Sequence, residues 1–110
     1  LEINALAMET SEQRVLASLS AGNRPGSVSS VLNAISAETL QKADELAIEV
    51  AAYYGLPYQP AALEVGGPSP IGSTITLPLM PTYMNNRMRT IAGGSAEVQR
   101  NIVAKAILQL

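Results

Sequence analysis

The chain has no cysteine, no histidine, no phenylalanine and no tryptophan. The missing cysteine excludes a disulfide framework and a thiol nucleophile. With histidine absent as well, a Cys/His metal site and any imidazole acid or base are excluded too. Without Phe or Trp, a core has to be assembled from Leu, Ile, Val, Ala, Met and four Tyr, and Ala-rich faces favour closely spaced helices. Charge is also sparse. The 7 basic residues are scattered among 9 acidic ones for a net charge of -2, which argues against nucleic-acid or acidic-membrane binding. No apolar run approaches the roughly 20 residues that span a bilayer, and the first residues lack a basic stretch followed by an apolar one. The expected location is cytoplasmic.

What is present is 110 residues, 47% of them apolar, enough for one domain that buries roughly 60 to 70% of the surface of its unfolded form. The chain opens on Leu1 and runs straight into a helical pattern with no cap before it, as a fragment of a longer protein would.

The spacing of apolar residues predicts four helices. The first covers residues 1–19, with Leu1, Ala5, Met8, Val15 and Leu19 on one stripe, and Ala21-Gly22-Asn23-Arg24-Pro25-Gly26 ends it. Glu12 falls on the same stripe. It either faces a ligand or an Arg partner inside the bundle or sits solvated at its edge, and the edge position is favoured because carboxylates are rarely buried unpaired. The second helix starts near Ser27 and reaches Tyr54, where Gly55 is placed to take a left-handed cap and Pro57 blocks continuation. Val28, Leu32, Ile35, Thr39, Ala43, Leu46, Val50 and Tyr54 form its apolar face, with Glu38, Lys42, Glu45 and Glu49 on others. Residues 56–76 are dense in Pro and Gly and predict an irregular loop, a feature that in a compact domain is functional or disordered. A third helix spans about 79–91, and a fourth runs from Ser95 to the end with Val98, Ile102 and Ile107 as its core residues. Four such helices make an all-α, antiparallel (up-down) four-helix bundle.

The junction between the last two helices is Gly93-Gly94-Ser95. The glycines allow a sharp turn and a close backbone approach, and Ser95 is a natural N-cap. The N–H groups of the following turn, at the positive end of the helix dipole, suit a phosphate or pyrophosphate. The same three residues also read as ordinary helix-helix punctuation.

The longer string Ile91-Ala-Gly-Gly-Ser-Ala-Glu-Val-Gln-Arg-Asn-Ile-Val-Ala-Lys-Ala-Ile-Leu108 resembles the C-terminal signature of flavin-dependent acyl-CoA dehydrogenases, Gly-Gly-Thr/Ser-x-Glu-Ile-Gln-Arg-Asn-Ile-Ile-Ala. Leu1-Glu-Ile-Asn-Ala-Leu-Ala-Met-Glu-Thr-Ser-Glu-Gln-Arg14 is similar to a bundle helix of a bacterial subgroup of that family, with Asn4 in place of its usual Asp. Pro81-Thr-Tyr-Met-Asn-Asn-Arg87 resembles the segment before the signature. The three stretches occur in the family's order and cover most of the chain.

The resemblance implies that residues 1–110 are the C-terminal helical bundle of such an enzyme, with the first bundle helix and the N-terminal α and β domains absent. It implies FAD as cofactor, an acyl-CoA thioester as substrate, electron-transfer flavoprotein or a similar acceptor as redox partner, and a homodimer or homotetramer. It carries cofactor contacts onto Gly93, Gly94, Ser95 and Glu97. For Glu97 a structural role has equal weight, because an acidic residue in a first turn also stabilises its helix. Many members place the catalytic Glu where this chain has Gly93. Others with Gly-Gly there place the base on the helix preceding the one that begins at Leu1, so no catalytic residue and no metal ligand is assigned here. The family's Gln-x-x-Gly-Gly-x-Gly cofactor segment has its nearest counterpart in residues 65–72, but Pro68 and Pro70 break the pattern at Gly66 and Gly67. Arg100 and Lys105 read as surface or intersubunit ion-pair residues. Two other readings stay open: a non-catalytic partner subunit of a heteromeric dehydrogenase, and a flavin monooxygenase or oxidase on the same scaffold.

Overall fold

A computed structural model describes residues 1–24 and 26–110, so Pro25 lies outside the described residues. The helices are α1 (Glu2–Ser20), α2 (Val28–Ala51), α3 (Leu79–Asn86) and α4 (Ala96–Val103), with no strand among the described residues. Single 3-10 turns occupy Ala52–Gly55, Pro60–Leu63 and Arg87–Thr90, and α4 continues into a π turn at Ala104–Leu108. The all-α architecture and the order of the four helices are as the spacing predicts.

Local signals account for the ends of α1 and α2. At the end of α1 the Gly22 amide donates to the Leu19 carbonyl at 2.9 Å and the Asn23 amide to that of Ser18 at 3.1 Å. This pair of bonds satisfies carbonyls left open by the last turn, with Gly22 in the left-handed position. The end of α2 departs from the expectation. Gly55 is not left-handed; Ala52 takes that conformation instead, at φ 50. Gly55 is buried, and a Cβ there would stand 3.0 Å from that of Ala51 and 3.1 Å from the Ile48 carbonyl oxygen. Glycine is needed there for close packing rather than for a turn.

The chain divides into two compact units, Leu1–Thr39 with Met88–Leu110, and Leu40–Arg87. In the first, Ser11, Arg14 and Val15 of α1 lie beside Val28, and Met8 and Glu12 lie beside Ser29, Leu32, Asn33 and Ser36, so α1 and the start of α2 run antiparallel. Met8 and Val15 are half-buried as expected, together with Ser11 and Ser18, whereas Leu1, Ala5 and Leu19 are exposed. The packed stripe of α1 is rotated toward its serines, which let the helices approach.

The buried face of α2 is not its apolar stripe. Ser30, Ala34 and Ala37 are buried, and Gln41 and Asp44 continue that line half-buried. Val28, Ile35, Ala43, Leu46, Val50 and Tyr54 of the expected face are exposed; Leu32 and Thr39 are half-buried. At 3.6 residues per turn the two stripes lie on roughly opposite sides of the helix. Small residues let the neighbouring backbone come close, so they take the inward side. The same holds for α4, where Ala96 is buried and Val98, Ile102 and Ile107 are exposed.

The second unit is locked by polar groups. Asn86, 8% exposed, donates from Nδ2 to Asp44 Oδ2 at 2.9 Å. Gln41 donates from Nε2 to the Asn86 carbonyl at 3.1 Å, and Arg87 pairs with Glu45 at 3.1 Å while its guanidinium lies 4.3 Å from the centre of the Tyr83 ring. The segment 81–87 is therefore what holds α3 on the second half of α2. In the Pro-rich loop Gln59 clamps Ile71, accepting from its amide at 2.7 Å and donating to its carbonyl at 3.3 Å, which closes the loop on itself.

Candidate functional site

The double-glycine junction lies in the first unit, between the 3-10 turn Arg87–Thr90 and α4. Both glycines are left-handed, Gly93 at φ 74 and Gly94 at φ 104, so the chain reverses into the helix without a side chain in the turn. Ser95 follows in extended conformation at φ -60, ψ 148 and caps α4, its Oγ accepting from the Val98 amide at 3.4 Å. Four of the sequence's candidate residues, Gly93, Gly94, Ser95 and Glu97, are thus brought together, as neighbours in sequence must be.

Two residues that the sequence reading did not single out shape the same place. Gln99 donates from Nε2 to the Gly93 carbonyl at 3.2 Å, and that nitrogen lies 2.5 Å from where a Cβ on Gly94 would sit. Asn33 of α2 places Nδ2 3.2 Å from the corresponding point on Gly93. Gln99 was legible in principle, since it lies four residues beyond the Ser95 cap on the same helical side. Asn33 was not, because its approach joins residues 60 positions apart in the chain.

Glu97 is exposed, and its carboxylate is held below the ordinary carboxylate range, first by a hydrogen bond from its own backbone amide, then by one from the Ser95 hydroxyl, with a smaller contribution from the charge of Arg100. The N-terminal turn of α4 therefore supplies its own anion. The Val98 amide is taken by Ser95 Oγ, that of Glu97 by its own carboxylate, and that of Gln99 by the Ser95 carbonyl at 2.9 Å. A phosphate brought to this turn would meet a carboxylate already there. A hydroxyl or amine donor would find an acceptor, so the residues suit the ribose or adenine part of a dinucleotide rather than its pyrophosphate.

Asn33 also lines a cavity of about 330 Å³ between α1 and α2 with Met8, Glu12, Ser29, Leu32 and Ser36. Glu12 is exposed at its edge, the solvated position favoured from sequence. Arg100 forms a surface ion pair with Glu38 of the same chain, and Lys105 is exposed in the π turn. Gly66 and Gly67 belong to the other unit, where Gly67 packs so close to Ala61 that a Cβ would fall 2.0 Å from its carbonyl oxygen. Among the described residues no group of three or more metal-ligating side chains occurs, and no helix is long and apolar enough to cross a membrane.

The family model for "Acyl-CoA dehydrogenase, C-terminal domain" matches residues 1–108, nearly the whole chain. The chain belongs to that family. No curated protein and no solved structure matches it. Membership in the acyl-CoA dehydrogenase C-terminal domain family agrees with the all-helical architecture, and that domain family belongs to acyl-CoA dehydrogenases, which are oxidoreductases. Within this domain Gly93 carries no side chain, so the junction offers no base at that position.

Proposed function

We propose that the chain is the C-terminal helical domain of an FAD-dependent acyl-CoA dehydrogenase that introduces an α,β double bond into an acyl-CoA thioester. The domain supplies a wall of the cofactor site at residues 93–97 and a surface for subunit association. When bound, FAD provides the redox chemistry by accepting a hydride at N5. This chain's residues would bind and orient the cofactor: Glu97 would accept from a ribose hydroxyl, with Ser95 holding that carboxylate in place and Gln99 keeping the Gly93–Gly94 turn in shape. The base acts from outside these residues, and electrons leave to electron-transfer flavoprotein or a similar acceptor. The match over residues 1–108 carries the reading, supported by the double left-handed turn ahead of a capped helix. The bare Gly93 keeps one alternative in play, a partner subunit with this fold and no base of its own.

The test is flavin retention. The 110-residue chain should purify colourless and bind FAD weakly, whereas the protein that contains it together with its upstream domains should carry flavin. In that longer protein Gly94→Val should strip flavin while leaving far-UV circular dichroism unchanged, and Glu97→Gln should reduce retention far less. Full flavin occupancy in Gly94→Val would remove the junction from the cofactor site.

A further inference from the structure

The cavity between α1 and α2 has an uneven supply of hydrogen-bonding groups. Ser29, Leu32, Asn33 and Ser36 line it from one side of α2, together with Met8 and Glu12 of α1. The Ser36 hydroxyl donates to the Asn33 carbonyl at 2.9 Å and that of Ser29 to the Gly26 carbonyl at 3.0 Å. Both protons are thus used within the chain, and the two oxygens meet the cavity as acceptors. The Glu12 carboxylate is an acceptor as well, while Met8 and Leu32 bring no N–H or O–H. Asn33 is left as the one lining side chain with donors to give, and it carries an acceptor beside them. Its carboxamide is half-buried and forms no hydrogen bond with another described residue. The same Nδ2 stands 3.2 Å from the point where Gly93 would carry a Cβ, and beyond the turn's own neighbours no other described group comes within 4 Å of that point. Asn33 therefore stands where the cavity meets the double-glycine turn, with a donor-acceptor edge that no other described residue uses.

We propose that Asn33 is a further cofactor-contacting residue, its carboxamide pairing with a heterocycle edge that sets an N–H next to a ring nitrogen or carbonyl. Such an edge gives one hydrogen bond and takes one, as an aminopurine does with a carboxamide. The adenine and the isoalloxazine of FAD both carry one, and Met8 and Leu32 offer apolar surface to the face of a ring. The assignment rests on the reading of residues 93–97 as a wall of the cofactor site. To that wall it adds a residue of α2, 60 positions away in sequence. It also gives the bare Gly93 a purpose, since a side chain there would press on the carboxamide and turn its edge away from a ligand. A role in packing alone would need the shape of Asn33 but neither its donors nor its acceptor.

The experiment follows the Asn33 side-chain amide of the 110-residue chain by heteronuclear NMR during titration with adenosine and, separately, with riboflavin. At least one of them should shift that signal saturably, and the tighter of the two names the end of the cofactor that lies here. The variants are read at the Gly93 backbone amide. Asn33→Leu, of similar shape without polar atoms, and Asn33→Asp, which lacks the donors, should each raise the dissociation constant of that probe about tenfold, the worth of two hydrogen bonds between neutral groups. The urea midpoint of Asn33→Leu should be no lower than the parent's, because the lost carboxamide leaves no described partner unpaired. An Asn33 signal that answers neither probe, or an Asn33→Leu chain that binds as tightly as the parent, would overturn the assignment and leave Asn33 a packing residue. The cofactor reading is judged separately. A longer protein that loses flavin with Gly94→Val and keeps it with Asn33→Leu would refute only the role of Asn33.

Discussion

Replacing Gly94 with alanine tests the geometry of the junction without any cofactor. Its φ of 104 lies where an L residue is strained, a cost of about 1 to 3 kcal/mol. The added Cβ would also fall 2.5 Å from Gln99 Nε2. That atom is the far end of a flexible side chain, so Gln99 swings away and the clash costs no more than its bond to the Gly93 carbonyl, about 1 kcal/mol at an exposed site. The sum is about 2 to 4 kcal/mol for Gly94→Ala, against about 0.5 to 1 kcal/mol for Gln99→Ala. Since the two substitutions break the same bond, the double variant should be milder than their sum by about that bond. Urea denaturation followed by far-UV circular dichroism, with unchanged m, measures all three. A Gly94→Ala protein within about 0.5 kcal/mol of the parent, or strict additivity in the double variant, would refute the reasoning.

Asn86→Ala should destabilise the second unit by about 2 kcal/mol, because it removes a buried donor to the Asp44 carboxylate, and a double-mutant cycle with Asp44→Ala should show coupling of about 1 kcal/mol or more in the same denaturation assay. Thr39 Oγ1 is buried with no hydrogen-bond partner among the described residues, so Thr39→Val, nearly the same shape, should raise stability by about 1 kcal/mol. Glu97 has a lowered folded pKa, so its contribution is present above the unfolded value near 4.3 and disappears as pH falls through the lower folded one. The stability difference between the parent and Glu97→Gln should therefore hold from neutral pH to about 5 and vanish in stronger acid, as thermal melts across that range would show.

Although α2 and α3 stop at Ala51 and Asn86, short of the ends their periodicity predicts, the sequence by itself determined the order of the helices, the end of α1, the start of α4 and the family they belong to. Those features depend on neighbours within a turn or two: Gly22 closing α1 through Leu19 and Ser18, the Pro-rich run that keeps residues 56–78 out of α-helix, and Ser95 capping α4 after two glycines. The family signature was legible because its residues are contiguous. Which face of α2 turns inward was decided only in three dimensions. Periodicity marks a stripe but does not say what will lie against it, and α2 carries two stripes, one large and apolar, the other small and polar. The inward choice went to Ser30, Ala34, Ala37, Gln41 and Asp44, because small side chains admit a close backbone and the two polar ones meet donors and acceptors on residues 86–87, more than 40 positions away. Asn33 beside Gly93 is the same case at the candidate site: a short helix-borne side chain acquires its place only when a distant turn is folded against it.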